Sequence, residues 1–254
     1  RVTRAVLGPY FSWRFNLKAD PQPDFPAPYI VVSNHVTELD FLLLAVMFRK
    51  PMGFVVGQGL LRSRLLRFLL VWLYGSIAKQ KGTADARTTM GMMRRLKEGR
   101  NVCLFAEGNT TFDGRTDDIP EATGSLIRAV GAGLITCRIQ GGYFSLPRWG
   151  RGIRRGQTSC RVVNLYDKES LRSMDAEEIN RLLVRDLHAD AYQEQRIDPI
   201  AYQGKHLAEG IEHALYLCPS CLMQGTLRGT GNEVRCSACG MRTRYTPYGF
   251  FEGD

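Results

Sequence analysis

Apolar residues fall along this chain in short runs bounded by glycine, proline and polar clusters, and the period of the runs changes repeatedly. Tyr29-Ile-Val-Val-Ser33, after an extended proline-rich lead-in from Pro21 to Pro28, is β-branched and predicts a buried strand. Leu39 to Phe48 is mostly apolar and predicts a helix. Phe54 to Tyr74 mixes large apolar residues with Arg62, Arg64 and Arg67. These arginines argue against a bilayer span, leaving a basic amphipathic helix on a membrane surface or a core helix with a solvated edge.

The alternation continues downstream. Ser76 to Lys81 reads as a short strand and Ala86 to Glu98 as a helix, with Met90, Met93 and Leu96 at helical spacing and Gly99 as its stop. Asn101 to Ala106 predicts a buried strand that ends directly at Glu107-Gly108. Ser125 to Val130 leads as a helix into a strand over Leu134 to Ile139, and Cys160 to Leu165 predicts another strand. Asp175 with Glu178 three residues on is a helix start, followed by one apolar stripe of Ile179, Leu182, Leu183 and Leu187. Repeated strand–helix units imply an α/β class with a mainly parallel central sheet flanked by helices. Roughly residues 196–206 form a linker into a cysteine-bearing C-terminal segment.

Length and composition refine this outline. The 254 residues suffice for one sizeable core and a small accessory module, and 44% apolar residues fit a globular chain. The first visible residues lack the sustained apolar stretch of a signal peptide. Positive charge is concentrated. Residues 49–100 hold twelve Lys or Arg against Asp85 and Glu98, and residues 138–161 add six arginines and no acid. Residues 162–215 are five charges negative. The two basic stretches point to anionic partners: phospholipid headgroups, phosphorylated substrates or nucleic acid.

Cys103, Cys137 and Cys160 sit singly in strand-like contexts and read as buried thiols. Together with the absence of a disulfide-type pattern they favour a reducing compartment. Cys218, Cys221, Cys236 and Cys239 form two C-x-x-C pairs separated by fourteen residues. Gly225, Gly229 and Gly231 in the intervening segment suit a hairpin with a loose tip. Four thiolates at this spacing match a structural zinc ribbon, whose closed shell leaves no catalytic position. His206 and His213 are surplus to it. Residues 216–254 carry a net charge of only +1, from four arginines against Glu233, Glu252 and Asp254, so the ribbon is not expected to bind nucleic acid.

The chemistry-bearing residues cluster at predicted strand ends. His35 and Asp40 bracket the turn after the first buried strand, where the carboxylate can hold one imidazole nitrogen and leave the other to accept a proton. Glu107 and Gly108 end another strand, and parallel strands bring both ends to one crevice. Gly108 lets a backbone approach a ligand closely.

Asn34-His-Val-Thr-Glu-Leu-Asp40 resembles the first motif, His-x4-Asp, of the PlsC family of glycerolipid acyltransferases. Gly75 to Lys81 resembles the second motif, with Lys81 in place of arginine, and Phe105-Ala-Glu-Gly-Asn109 is similar to the third. Gly131 to Ile139 stands where the fourth belongs, without its proline. The resemblance covers about residues 29–165. It departs at Ala106 and Asn109, and at Thr110, which replaces an arginine that helps bind the acceptor's phosphate in relatives.

The resemblance implies a glycerolipid acyltransferase fold over residues 1–200, with a linker or helix at 201–215 and the zinc ribbon at 216–246. It implies His35 as general base on an acceptor hydroxyl, oriented by Asp40, and an acyl thioester (acyl-CoA or acyl carrier protein) as donor. A lysophospholipid such as 1-acylglycerol-3-phosphate would be the acceptor. Lys81, Glu107, Gly108 and Asn109 would line its site, with Arg115, Arg138 or Arg148 assisting at the phosphate. Glu107 would bond the acceptor's glycerol or shape its own loop. The expected location is cytoplasmic, peripheral to the inner face of an anionic membrane. The same His–Asp pair would also serve a thioesterase-like hydrolase, and a nucleic-acid-binding ribbon protein is the remaining alternative.

Overall fold

Tyr29, Ile30, Val31 and Val32 are all fully buried, because the strand they form is covered on both faces of a sheet. The computed structural model describes residues 2–57, 59, 64, 68, 71, 74–79 and 86–253. In chain order the elements of the larger unit are α1 (Val2–Arg14), β1 (Lys18–Ala19), β2 (Tyr29–Ser33), α2 (Asp40–Met47), β3 (Met52–Gly57) and β4 (Ile77–Lys79). They continue with α3 (Ala86–Lys97), β5 (Asn101–Phe105), α4 (Ala122–Val130), β6 (Gly133–Gln140), α5 (Gly142–Ser145), β7 (Ser159–Tyr166), α6 (Lys168–Ser173), α7 (Ala176–Leu187) and α8 (Ala191–Ile197).

Seven strands form one sheet in the order β1-β7-β6-β2-β5-β3-β4. Every pairing in it is parallel except β6 with β7. This is the mainly parallel α/β arrangement expected. Side chains alternate between its faces. Ile30, Val32, Val102, Leu104 and Leu134 point into one core with α3, α4 and α7. Tyr29, Val31, Cys103, Ile135 and Cys137 point into the other with α1 and α2. Cys103, Cys137 and Cys160 are buried thiols, and desolvation raises their pKa well above the ordinary value.

The α7 stripe is buried as its periodicity predicts, and Asp175 and Glu178 form a complete capping box. The penultimate residue of the same helix, Asp186, 1% exposed, accepts from Thr136 Oγ1, Asn164 Nδ2 and Tyr166 OH and so ties α7 to β6 and β7. Two expectations are corrected. Phe54 to Gly57 lie in β3, not in a helix, because the Met52–Gly57 run pairs with β4 and β5; most of residues 58–73 lie outside the described residues. In α3 the inward positions are Thr88, Met92 and Leu96 at four-residue spacing, which turns Met90 out to 61% exposure. Among the described residues no helix is long and apolar enough to cross a membrane.

The C-terminal segment folds as a four-stranded antiparallel sheet of β8 (Leu227–Thr230), β9 (Glu233–Cys236), β10 (Arg242–Tyr245) and β11 (Phe251–Gly253), ordered β11-β10-β9-β8. Its core is shared with earlier parts of the chain: Trp149, Leu207, Ala208 and Ile211 pack with Cys218, Leu227, Val234 and Tyr245.

Close helix packing beside the main sheet depends on one small residue. A Cβ on Gly124 of α4 would lie 2.0 Å from the Ala176 carbonyl oxygen at the start of α7. Gly124→Ala is expected to cost about 1–3 kcal/mol, as overpacking of a fitted interface does. Urea unfolding should show a lower midpoint at unchanged slope; an unchanged midpoint would mean the helices separate freely.

Candidate active site

Parallel register sets where the site forms. Ser33 of β2 lies opposite Phe105 of β5 on one side and Cys137 of β6 on the other, so β2 and β5 end level with each other while β6 runs on past them to Gln140. Asn34 locks that end of β2: its amide donates to the Ile139 carbonyl at 2.9 Å and accepts from the Ile139 N–H at 2.8 Å. The next residue, His35, therefore leaves the sheet at a fixed point.

The His35 Nδ1 lies 2.9 Å from Asp40 Oδ2. Asp40 is completely buried, and its carboxylate also accepts from the N–H groups of Val36 (2.6 Å) and Thr37 (3.0 Å) and from Thr37 Oγ1 (2.7 Å). A buried carboxylate needs such donors to offset lost hydration. With Nδ1 donating to Asp40, the imidazole's basic atom is Nε2. The ring stacks on Phe105 at 4.3 Å between centroids and is 20% exposed, so it is held on one side and reachable on another. This arrangement can take a proton from a hydroxyl and stabilise the resulting imidazolium.

Glu107, 4% exposed, has both oxygens occupied by backbone donors: Oε1 accepts from the His35 N–H at 2.7 Å and Oε2 from the Asp117 N–H at 2.8 Å. Desolvation raises its pKa to about 7, outweighing those two bonds, which favour the ionised form. The side chain braces the loop that carries His35. Thr111 N–H adds a bond to the His35 carbonyl at 2.9 Å.

Gly108 and Asn109 are exposed just beyond Glu107, and a Cβ on Gly108 would meet no atom within 4 Å. Lys81 lies outside the described residues. Of the arginines named as assisting, Arg115 is ion-paired with Asp190 at 3.1 Å, and Arg138 donates to the Asp186 carbonyl at 2.7 and 3.1 Å. Arg148 alone of the three lies against the loop after Glu107, with Nη1 3.4 Å from the Thr110 carbonyl. The supporting roles of Asn34, Thr37, Phe105 and Asp117 escape sequence reasoning. Asn34, Thr37 and Phe105 stand inside the two quoted motifs, the local signal that could have found them, whereas Asp117 has none.

The four cysteines of the C-terminal unit converge. Their sulfurs all lie within 4.8 Å of one another, with 3.8 Å between Cys218 and Cys239 and between Cys221 and Cys236. A zinc ion with four bonds of about 2.3 Å gives a tetrahedron of edge about 3.8 Å, so the set fits that metal. His206 bonds Glu209 and His213 bonds the Gly210 carbonyl, away from this cluster.

Residues 18–140 match the family model described as Acyltransferase. The fold resembles the crystal structure of the 1-acyl-sn-glycerophosphate acyltransferase PlsC from Thermotoga maritima. The TM-score is 0.57 and the identity 18%, over 72% of this chain and 78% of that one. A search of curated proteins found no match.

The buried carboxyl of Glu107 makes stability depend on pH. Its folded pKa of about 7 lies above the ordinary 4.5, so the folded state holds the proton more tightly than the unfolded chain. Its contribution is full below pH 4.5 and is lost as pH rises through 7. Relative to Glu107→Gln, the wild-type chain should lose about 3 kcal/mol across that window. Denaturant midpoints of both proteins measured from pH 4 to 8 check this; parallel curves would contradict it.

Proposed function

We propose, from the match of residues 18–140 to the Acyltransferase family model, that the protein moves a fatty acyl group from an acyl thioester to the hydroxyl of a lysophospholipid. The observation that carries the reading is the 2.9 Å contact between His35 Nδ1 and a fully buried Asp40, in a loop at the strand ends of an α/β sheet. The donor is acyl-CoA or acyl carrier protein, and the acceptor is of the 1-acylglycerol-3-phosphate type.

In this reading His35 Nε2 takes the proton of the acceptor hydroxyl as its oxygen attacks the thioester carbonyl carbon. Asp40 holds the ring in the required tautomer and balances the imidazolium. Collapse of the tetrahedral intermediate breaks the carbon–sulfur bond, and the leaving thiolate takes the proton back. No covalent acyl-enzyme is needed: Cys103 lies within a strand, wholly buried as a thiol. Glu107 acts by holding the His35 and Asp117 backbone, whereas Gly108, Asn109 and Lys81 are assigned to the acceptor side. The basic stretch within residues 49–100 suits an anionic membrane face, where each nearby cation contributes about 1 kcal/mol. In this reading the protein works peripherally on the inner face of the membrane. The ribbon holds a structural zinc ion through Cys218, Cys221, Cys236 and Cys239.

Incubation with a labelled acyl thioester and a panel of lysophospholipids tests the reaction. Acceptor-dependent ester formation is expected, falling about 10²–10⁴-fold in His35→Ala. Release of free acid without any acceptor would make the protein a thioesterase, and inactivity towards every acceptor would remove the assignment. For the metal, elemental analysis should find one zinc per chain, lost in Cys218→Ser, with a lower Tm after chelation. A metal-free native protein with unchanged Tm would exclude it.

A further inference from the structure

The connection between β6 and β7, residues 141–158, lies beyond the stretch matched by the family model and touches both the candidate active site and the ribbon. On its active-site side, Gly142 packs so closely that a Cβ there would come within 2.6 Å of Val36 Cγ2, beside His35. The exposed Arg148 reaches the Thr110 carbonyl through a long 3.4 Å bond, with its guanidinium 5.9 Å from the Phe112 ring centroid. That segment runs directly beside His35, whose carbonyl accepts from the Thr111 N–H. Arg148 takes part in none of the ion pairs among the described residues. With five N–H donors, it retains most of its hydrogen-bonding capacity for an anion.

On its other side, the very next residue is built into the ribbon core. Trp149 is 5% exposed and packs edge-on against Tyr245 of β10, with ring centroids 5.7 Å apart. Its Nε1 donates to the Tyr143 hydroxyl at 3.1 Å. Arg154, buried, lies over both Trp149 (4.9 Å) and Tyr245 (5.6 Å) and donates to the Leu207 carbonyl at 2.7 Å. Gly210 is pressed so close to the Trp149 carbonyl that a Cβ would lie 2.1 Å from the oxygen. Cys218 and Cys236 belong to the same apolar cluster as Trp149.

We infer that the ribbon is a positioning element for substrate binding: by enclosing Trp149 it fixes the adjacent Arg148 beside His35, where the guanidinium binds a substrate phosphate. The inference rests on the acyl-transfer reading above. A phosphate reaches this site from the acceptor's headgroup or from the nucleotide part of an acyl-CoA donor, and either makes the same charge-assisted contact. Arg148 is a binding residue; Trp149 acts through it.

Steady-state kinetics of the full chain, with each substrate compared against a phosphate-free counterpart, separates these elements. The acceptors are 1-acylglycerol-3-phosphate and monoacylglycerol, and the donors are acyl-CoA and acyl-pantetheine. Arg148→Gln should raise KM about tenfold or more for one phosphate-bearing substrate, as expected for a lost charged hydrogen bond, and leave its phosphate-free counterpart unaffected. The substrate affected identifies the phosphate bound. A KM change for neither, or a loss confined to kcat, overturns the role of Arg148.

For the ribbon, Cys239→Ser and the milder Trp149→Phe should raise the same KM. Combined with Arg148→Gln they should add nothing further. Additive effects, or an unchanged KM in both, overturn the positioning role. If the wild type transfers no acyl group, the proposed function fails instead. Equilibrium binding of 1-acylglycerol-3-phosphate and of CoA to His35→Ala, with and without Arg148→Gln, then decides the phosphate contact by itself. Tenfold weaker binding of one ligand supports it, and equal affinities for both overturn it.

Discussion

A carboxylate taken wholly out of water must be met by hydrogen-bond donors, and the geometry around His35 follows from how Asp40 meets that requirement. Its four donors come from three consecutive residues: the His35 ring, the Val36 and Thr37 N–H groups, and the Thr37 hydroxyl. Satisfying the charge therefore folds the turn, and folding the turn orients the imidazole. The same contact that makes burial of Asp40 tolerable selects which nitrogen of His35 is basic. Stability and chemistry rest on one group of bonds.

That turn is only as well placed as the strand end from which it springs. Asn34 bridges to Ile139 of β6, and Glu107 at the end of β5 receives the His35 N–H. The central strand is thus tied to each of its neighbours where it leaves the sheet. Glu107 shows the cost of this arrangement. Its burial raises its pKa, yet both oxygens face N–H groups that favour the charged form. A carboxylate so enclosed serves the backbone more directly than it serves a ligand.

The ribbon is joined to this centre through shared apolar packing. Trp149 and Arg154 come from the connection after β6, Leu207 and Ile211 from the approach to the ribbon, and Tyr245 from its sheet. A small unit with only four short strands gains a larger core by enclosing residues from outside itself. The connection it encloses is the one packed against Val36 and Thr110.

Much of this was written locally. The β-branched runs at 29–33 and 101–106, the capping box at Asp175 and Glu178, the His35–Asp40 spacing and the paired cysteines are each set by chemistry within a few residues. Such patterns survive in one dimension. At Met90 and at Phe54 several helical or extended phases fit a short apolar run, and only packing against β4 and β5 selects among them. Distant partners had no local signature at all: Glu107 with the Asp117 N–H, Asn34 with Ile139, Arg148 with Thr110, and Trp149 with Tyr245. The sequence by itself determined the α/β class and most of the strand–helix order, and it marked candidate residues by their spacing. Tertiary structure decided which of those residues meet, because contacts between separate elements, up to 105 positions apart for Asn34 and Ile139, depend on sheet register and on surfaces that exist only once both sides have folded.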